Sequence, residues 1–570
     1  MPLPPADTIS LPDTLALLDG QFAALAAGVA DGAYAIWLGS GISFKKMPKL
    51  ADLVEIVLEH LRTHAALAGP CAYRDSLDRI LALTPLDDDE KSAIDFSQPV
   101  STWAQCELIR RSLVLNYARM LDLAPRDKPP DYLLWNAVEV ARRYASPAVT
   151  PGVEHLALAA LVVEGVASEI ASANWDGLLE TAVARLAGTL PDLLQVCVLS
   201  ADYRKMPARA RLYKFHGCAV LAGRNEATYR ERLVGRQSQL DAWATQNPVV
   251  EARLISLAVN QSTLMLGLSA QDFNIRGVFV HAQAQMTWPF PSDPPAFVFS
   301  EDAIGPDQQA ILRNQYPADY VAMQEQIDSA SLLRAYPAHL LPALWLRVAE
   351  IKFAALAESA APHLSPADQG SLKAGLKALR DRVAADGDGL NREAFMDGAL
   401  IHLGRTLALL REGRISIPGG GTYAPITLGP VSGLAADANI AASGLPQFAL
   451  AVALLGHGHA TGTWTCGVTL PVAPTAGAIR VQGRRTVEVF FAASERAAAQ
   501  LVSEGHVNAA ADVVLIHSDP ITAPAARSPA RTYGRATSRI HVREVSVRTL
   551  VDSGVDLCGL IQHCQLELAL

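Results

Sequence analysis

Short runs of consecutive apolar residues alternate along this chain with longer stretches whose apolar positions recur every three or four residues. The first run, Ala33 to Leu38, reads as a buried strand that leads straight into Gly39-Ser40-Gly41-Ile42-Ser43, a glycine turn. Ahead of it, Leu15, Leu18, Phe22 and Leu25 lie at helical spacing and predict one amphipathic helix over residues 12–30. Residues 49–145 read as mostly helical, most clearly over Leu50 to Leu61, and form a long insertion before the next strand. The pattern then predicts a helix at 155–165, a strand at 170–173 and a helix at 175–185. Further strands follow at 193–199, 210–215, 263–268 and 296–299. Short apolar runs separated by helices predict a parallel sheet with helices on both faces.

Residues 341–414 return to a helical pattern, broken at Asp386-Gly387-Asp388-Gly389. The run from Ile417 to Tyr423, with three glycines and a proline, reads as a linker. Beyond it the chain turns rich in Ala, Gly, Val and Thr. Strands are predicted at 463–468, 486–491, 512–516 and 540–547, with helices at 495–504 and 546–553. Gly456-His457-Gly458-His459 reads as a loop, because no carboxylate or cysteine cluster stands near it to complete a metal site. No internal repeat is present. The expected architecture is α/β: a Rossmann-like parallel sheet over 1–335 with a helical insertion at 49–145. A helical connector over 336–415 and a smaller mixed α/β domain over 416–570 follow.

With 570 residues, half of them apolar, the chain can bury more than one core. A net charge of -9 argues against a protein coated with nucleic acid and leaves room for a local basic patch. Arg527, Arg531, Arg535, Arg539 and Arg543 recur every four residues, with Pro529 and Gly534 opposing one continuous helix. They read either as a solvated loop and exposed edge strand, or as a contact surface for a nucleic-acid backbone or acidic partner. Seven cysteines form no CxxC pair, which suits reduced thiols and gives no zinc ribbon. Met1 to Ser10 lacks a secretory pattern, and no apolar run approaches the roughly 18–20 residues of a membrane span. A cytoplasmic protein is expected.

Four short segments carry candidate chemistry. The first is the Gly39–Ser43 turn, whose small residues let backbone N–H groups approach a phosphate. The second is Asn174-Trp175-Asp176-Gly177-Leu178-Leu179-Glu180, where a strand delivers an Asn and an Asp just before a helix. Ligands gather there in an open parallel sheet, but either residue also serves as a helix cap. The third is Lys214-Phe215-His216-Gly217, a histidine at a strand's carboxyl end with a glycine that opens space beside it. The fourth is Gly267-Leu268-Ser269-Ala270-Gln271-Asp272, a Gly-x-Ser turn with an aspartate that reads as site residue or cap.

In this order the four segments resemble the sirtuin-like family, and most closely its bacterial branch found in antiphage defence proteins. The resemblance spans roughly residues 30–330. It implies that Gly39, Ser40, Gly41, Ile42 and Ser43 cradle the pyrophosphate of NAD+. It implies that Asn174 and Asp176 face the nicotinamide ribose and ring, and that His216 is the catalytic histidine. Gly267, Ser269 and Asp272 would complete the cofactor-binding set on the adenosine side, with Ser300 and Glu301 near the adenine.

The departures from the family pattern narrow the chemistry. Ser172-Ala173 replaces the usual threonine pair or Thr-Gln before the Asn. The segment Phe44-Lys45-Lys46-Met47-Pro48 keeps the proline but lacks the Asp-Phe-Arg of deacetylating sirtuins. The four-cysteine zinc ribbon is missing, so no zinc is expected. The resemblance therefore implies an NAD+ hydrolase that releases nicotinamide and ADP-ribose, with NAD+ as substrate. Deacylation, ADP-ribosyl transfer and a non-catalytic NAD- or ADP-ribose-binding module are the alternatives. It further implies an abortive-infection effector held in check by oligomerisation or a partner. That partner would be a HerA-type ATPase, a short prokaryotic Argonaute with guide and target nucleic acid, or a Thoeris-type sensor. No membrane is implied.

Overall fold

The computed structural model describes residues 5–65, 71–188, 193–205, 208–415, 417, 420–470, 473, 475–507, 512–520, 534–536 and 542–568. The expected α/β class is present. Seven strands form one parallel sheet: β1 (Tyr34–Leu38), β2 (Glu169–Ser172), β3 (Leu194–Cys197), β4 (Ala210–Lys214), β5 (Ser262–Leu266), β6 (Phe297–Ser300) and β7 (Leu332–Leu333). Their order is β3-β4-β2-β1-β5-β6-β7. Every residue of β1 and β5 is buried, because helices cover both faces of the sheet centre. Register is fixed at the centre, where Leu38 pairs with Ser172 of β2 on one side and Leu266 of β5 on the other.

The chain leaves β1 towards β2 and returns to the opposite side of β1 at β5. The carboxyl ends of β1 and β5 therefore form the topological switch point, where the two connections diverge and open a crevice. Both glycine turns emerge at that point. The helical insertion packs around helices such as Leu50–His64, Ala72–Leu81 and Cys106–Leu115, in a core shared with Leu178, Ala219, Ala222 and Leu233.

The helix Val153–Val163 is buried along its whole length, since it lies between the sheet and the long helix Pro337–Ala360. Its end is fixed by a buried polar network. Glu164 is paired with Lys352 at 2.7 Å, and its other carboxylate oxygen accepts from the Tyr423 hydroxyl. Trp345 donates to the same hydroxyl oxygen at 3.2 Å. Tyr423 is thus a core residue, where the sequence pattern predicts a linker. Its neighbour Gly421 presses so closely on Leu186 and Ala187 that no side chain fits there.

A second, mixed sheet contains β8 (Thr465–Gly467), β9 (Ile479–Gln482), β10 (Thr486–Ala492), β11 (Val513–His517), β12 (Gly534–Ala536) and β13 (Val542–Ser546). The order is β12-β13-β11-β10-β9-β8, with the central strands parallel and the edges antiparallel. Between the sheets stand the helices Pro337–Ala360, Pro366–Asp388, Arg392–Glu412 and Leu445–Ala460.

Several elements depart from the pattern. Residues 12–30 form two helices, Leu11–Asp19 and Ala23–Ala30, because the chain turns at Gly20. The helical run after 341 breaks near Ala361 as well as after Asp388. Gly456 to His459 belong to the helix Leu445–Ala460, not to a loop. The glycines there serve close packing. A Cβ on Gly456 would stand 2.3 Å from the Gly375 carbonyl oxygen of the crossing helix, and one on Gly458 would meet the Trp464 ring. Of the arginine series, Arg527, Arg531 and Arg539 lie outside the described residues, and Arg535 is described in its backbone alone. Arg543 lies on β13 and donates to the Leu568 carbonyl at 3.2 Å.

Candidate functional site

The carboxyl ends of β4, β2, β1 and β5 carry the four candidate segments side by side, because parallel strands point every strand-to-helix turn to one edge. At the switch point the two glycine turns touch through backbone alone. Gly267 is held at φ +60, and the Gly41 N–H donates to its carbonyl at 3.0 Å. A Cβ on Gly39 would stand 2.3 Å from the Gly267 oxygen, and a Cβ on Gly267 would stand 2.6 Å from the Ile42 nitrogen. The space made by these glycines is filled by the opposing turn. Gly39 and Ile42 are buried, while Ser40, Gly41 and Ser269 are exposed at the mouth of the crevice.

Ser43 does not face the crevice mouth. It is buried, and its hydroxyl lies 3.0 Å from Asp176 Oδ2 and 3.2 Å from His155 Nε2. His155 Nδ1 accepts from the Gly152 N–H at 3.2 Å, so Nε2 carries the ring proton. The donors then run in one direction: Gly152 to His155, His155 to Ser43, Ser43 to Asp176. Burial pushes the His155 pKa down to about 4 despite the nearby Asp176 carboxylate, and the ring is neutral at pH 7. Asp176 Oδ1 accepts the Leu178 N–H at 3.1 Å, so this carboxylate is a helix cap as well as the end of the relay.

Lys214, on β4, supports the same turn. Its buried ammonium donates to the Asp176 carbonyl and pairs with Glu180 at 2.6 Å. Burial opposes its charge, but Glu180 and the other groups around it hold its pKa above the ordinary lysine value. Asn174 is half-buried and donates through Nδ2 to the Gly39 carbonyl at 3.0 Å, which ties the β2 end to the β1 turn.

His216 and Asp272 form the other half of the site. Nε2 of the histidine stands 2.8 Å from Oδ2 of the aspartate. Both atoms are buried, and neither has an aligned hydrogen bond. Their strands, β4 and β5, are separated by β2 and β1, a span of about 14 Å at the usual strand spacing. The loops that leave the carboxyl ends of β4 and β5 therefore bring the two residues together across the width of two strands. Asp272 Oδ1 caps the helix Phe273–Gln285 through the Asn274 N–H at 2.8 Å. Burial works against charge on Asp272, but His216 and Asn274 hold its pKa below the usual carboxylate value. Gly217 opens no space beside His216. It adopts φ +89, and the Arg232 carbonyl fills the position its side chain would take.

Of the residues expected near the adenine, Ser300 donates to the Ala335 carbonyl at 2.5 Å and is fully buried. Burial raises the Glu301 pKa to about 7. Two residues escaped the sequence reading. His155 stands in a helical run, and its only signal is Gly152 three residues ahead at the helix start. Tyr117 belongs to the helical insertion, and its pKa is raised to about 12 by burial and by Asp272 beside it. At the second sheet, Glu495, His517 and Glu544 bring one ligand-type atom each within 4.8 Å of one another. Each also has another partner, and nothing further there points to an ion.

No helix among the described residues is long and apolar enough to cross a membrane. No match was found among curated proteins. A family model described as a SIR2-like domain matches residues 168–321. That stretch contains β2 to β6 with Asn174, Asp176, His216, Gly267, Ser269 and Asp272, and leaves out the β1 turn and His155. The parallel sheet, its switch point and this match together support a sirtuin-like family and an NAD-related activity for the chain.

Proposed function

We propose that the chain hydrolyses NAD+ to nicotinamide and ADP-ribose. The observation that carries this reading is the buried His216–Asp272 pair, 2.8 Å apart, on loops that leave the carboxyl ends of β4 and β5. In the reaction the C1′–N bond breaks and its electron pair returns to the pyridinium nitrogen. The leaving group is thereby neutralised and needs no general acid. The barrier lies in the cationic ribosyl group, which fixed dipoles and carboxylates stabilise. With Nε2–H turned to Asp272, Nδ1 of His216 takes the proton from water as the oxygen bonds to C1′. Asp272 then stabilises the imidazolium, as an aspartate does behind a catalytic histidine. Asn174 anchors the β1 turn through Nδ2, and its amide oxygen accepts from the attacking water. The Ser43–His155 relay fixes Asp176, which faces the developing charge. Ser40, Gly41 and Ser269, which are exposed, would contact the phosphates and ribose of the substrate.

Free hydrolysis of NAD+ is toxic to a cell, so we further propose an effector role in antiphage defence, with activity released by oligomerisation or a partner. A HerA-type ATPase or a guide-loaded short Argonaute would be that partner. The test is nicotinamide release by the purified chain, alone and with each partner, without any acyl or protein acceptor. His216→Ala and Asn174→Ala should each lower turnover about 100- to 10,000-fold. Wild-type turnover in both variants would refute the site. Dependence on an acylated peptide or a protein acceptor would refute hydrolysis.

A further inference from the structure

Consecutive side chains just beyond β2 reach separate turns. Asn174 donates to the Gly39 carbonyl of the β1 turn, and Asp176 accepts from the Ser43 hydroxyl. Trp175, between them, reaches the loop that follows β4. Its indole N–H donates to the Val234 carbonyl at 3.1 Å, and the Val234 N–H donates to the His216 carbonyl at 3.0 Å. The backbone carbonyl of Trp175 accepts from the Ala219 N–H at 2.8 Å. Trp175 therefore grips this loop twice, once through Val234 to His216 itself and once just beyond it.

The indole is held by packing, so its single N–H points in a fixed direction and one hydrogen bond becomes a positional constraint. The ring meets Tyr144 edge-on, with centroids 5.5 Å apart. Gly235 leaves room for it, since a Cβ there would stand 3.0 Å from the indole. A second indole, Trp243, donates to the Phe215 carbonyl at 2.9 Å, so the backbone on both sides of the His216 nitrogen is tied down. Farther along the loop, Arg230 pairs with Asp131 of the helical insertion at 2.5 Å, a hold independent of Trp175. Asp272 sits on a turn from another strand and is fixed by its own bond to the Asn274 N–H. A shift of the His216 loop is not followed by Asp272, so their contact depends on the loop staying where it is gripped.

We propose that Trp175 is a positioning residue for His216, holding the loop so that the ring meets Asp272. The catalytic consequence rests on the hydrolysis reading, while the grip itself does not. Trp175→Phe keeps an aromatic ring and removes the N–H. Hydrogen–deuterium exchange of the full chain, followed by mass spectrometry, should be faster over residues 216–236 and unchanged in the helix Val153–Val163. For nicotinamide release, kcat should fall about 10- to 100-fold with little change in KM, the scale of a reacting group misplaced by about 1 Å. In a His216→Ala background the same substitution should cost nothing further, because it acts through that ring. Unchanged exchange over 216–236, an undiminished kcat, or the same loss repeated in His216→Ala would overturn the proposal. If the wild type releases no nicotinamide with any partner, the hydrolysis reading falls. Exchange alone then decides the grip: a faster rate over 216–236 sustains it and an unchanged rate overturns it. Gly235→Ala crowds the indole while leaving Trp175 in place, and carries the same tests where Trp175→Phe does not fold.

Discussion

Acidification from pH 7 to pH 5 should weaken the fold through His155. Its folded pKa of about 4 lies below the ordinary value of 6.5. The unfolded chain therefore binds more protons over this window. The stability that His155 contributes is present above about pH 6.5 and is lost as pH falls towards 4. Protonation at Nδ1 would set a second N–H against the Gly152 N–H that it now accepts. Linkage over these two values gives a loss of about 2 kcal/mol between pH 7 and pH 5. His155→Gln keeps a donor and an acceptor but cannot titrate. The assay is urea unfolding of wild type and His155→Gln at both pH values, read as the difference between the two pH-induced losses. Wild type should lose about 2 kcal/mol more than the variant. Equal losses would refute the neutral relay, whatever other groups titrate. The same comparison made on turnover tests whether the relay serves the site, since His155 reaches Asp176 through Ser43.

Asp272→Asn keeps an oxygen for the Asn274 cap but removes the charge beside His216, so turnover should fall about 100-fold or more with little change in unfolding midpoint. An unchanged rate would remove Asp272 from the machinery. Gly267→Ala places a Cβ at φ +60 against the Ile42 nitrogen, and should cost at least about 1 kcal/mol in denaturant unfolding. A neutral effect would mean that the two turns separate freely. Lys352→Met strands the Glu164 carboxylate in the core and should cost about 3–5 kcal/mol, while Lys352→Met with Glu164→Gln should recover part of it. An additive double variant would show that the pair is not coupled.

The sequence alone determined the class of fold and the edge of the sheet on which the candidate residues gather. Five-residue apolar runs such as Tyr34–Leu38 cannot be stable unless both faces are covered, and turns rich in Gly, Asn and Asp mark where each strand stops. Those signals are local, carried by neighbours in the chain, and they placed Asn174, Asp176, His216 and Asp272 at strand ends. The tertiary structure decided what each residue touches. That Gly41 and Gly267 pack backbone on backbone, that Ser43 turns inward to His155, and that His216 reaches Asp272 across two strands depend on strand order and loop path. The same holds for Tyr423, whose glycine-rich surroundings look like a linker, yet whose hydroxyl meets Glu164 in the core. Periodicity records which residues are buried, because burial follows from the shape of one element. It carries no record of the partner, because a partner arrives from a segment tens or hundreds of residues away.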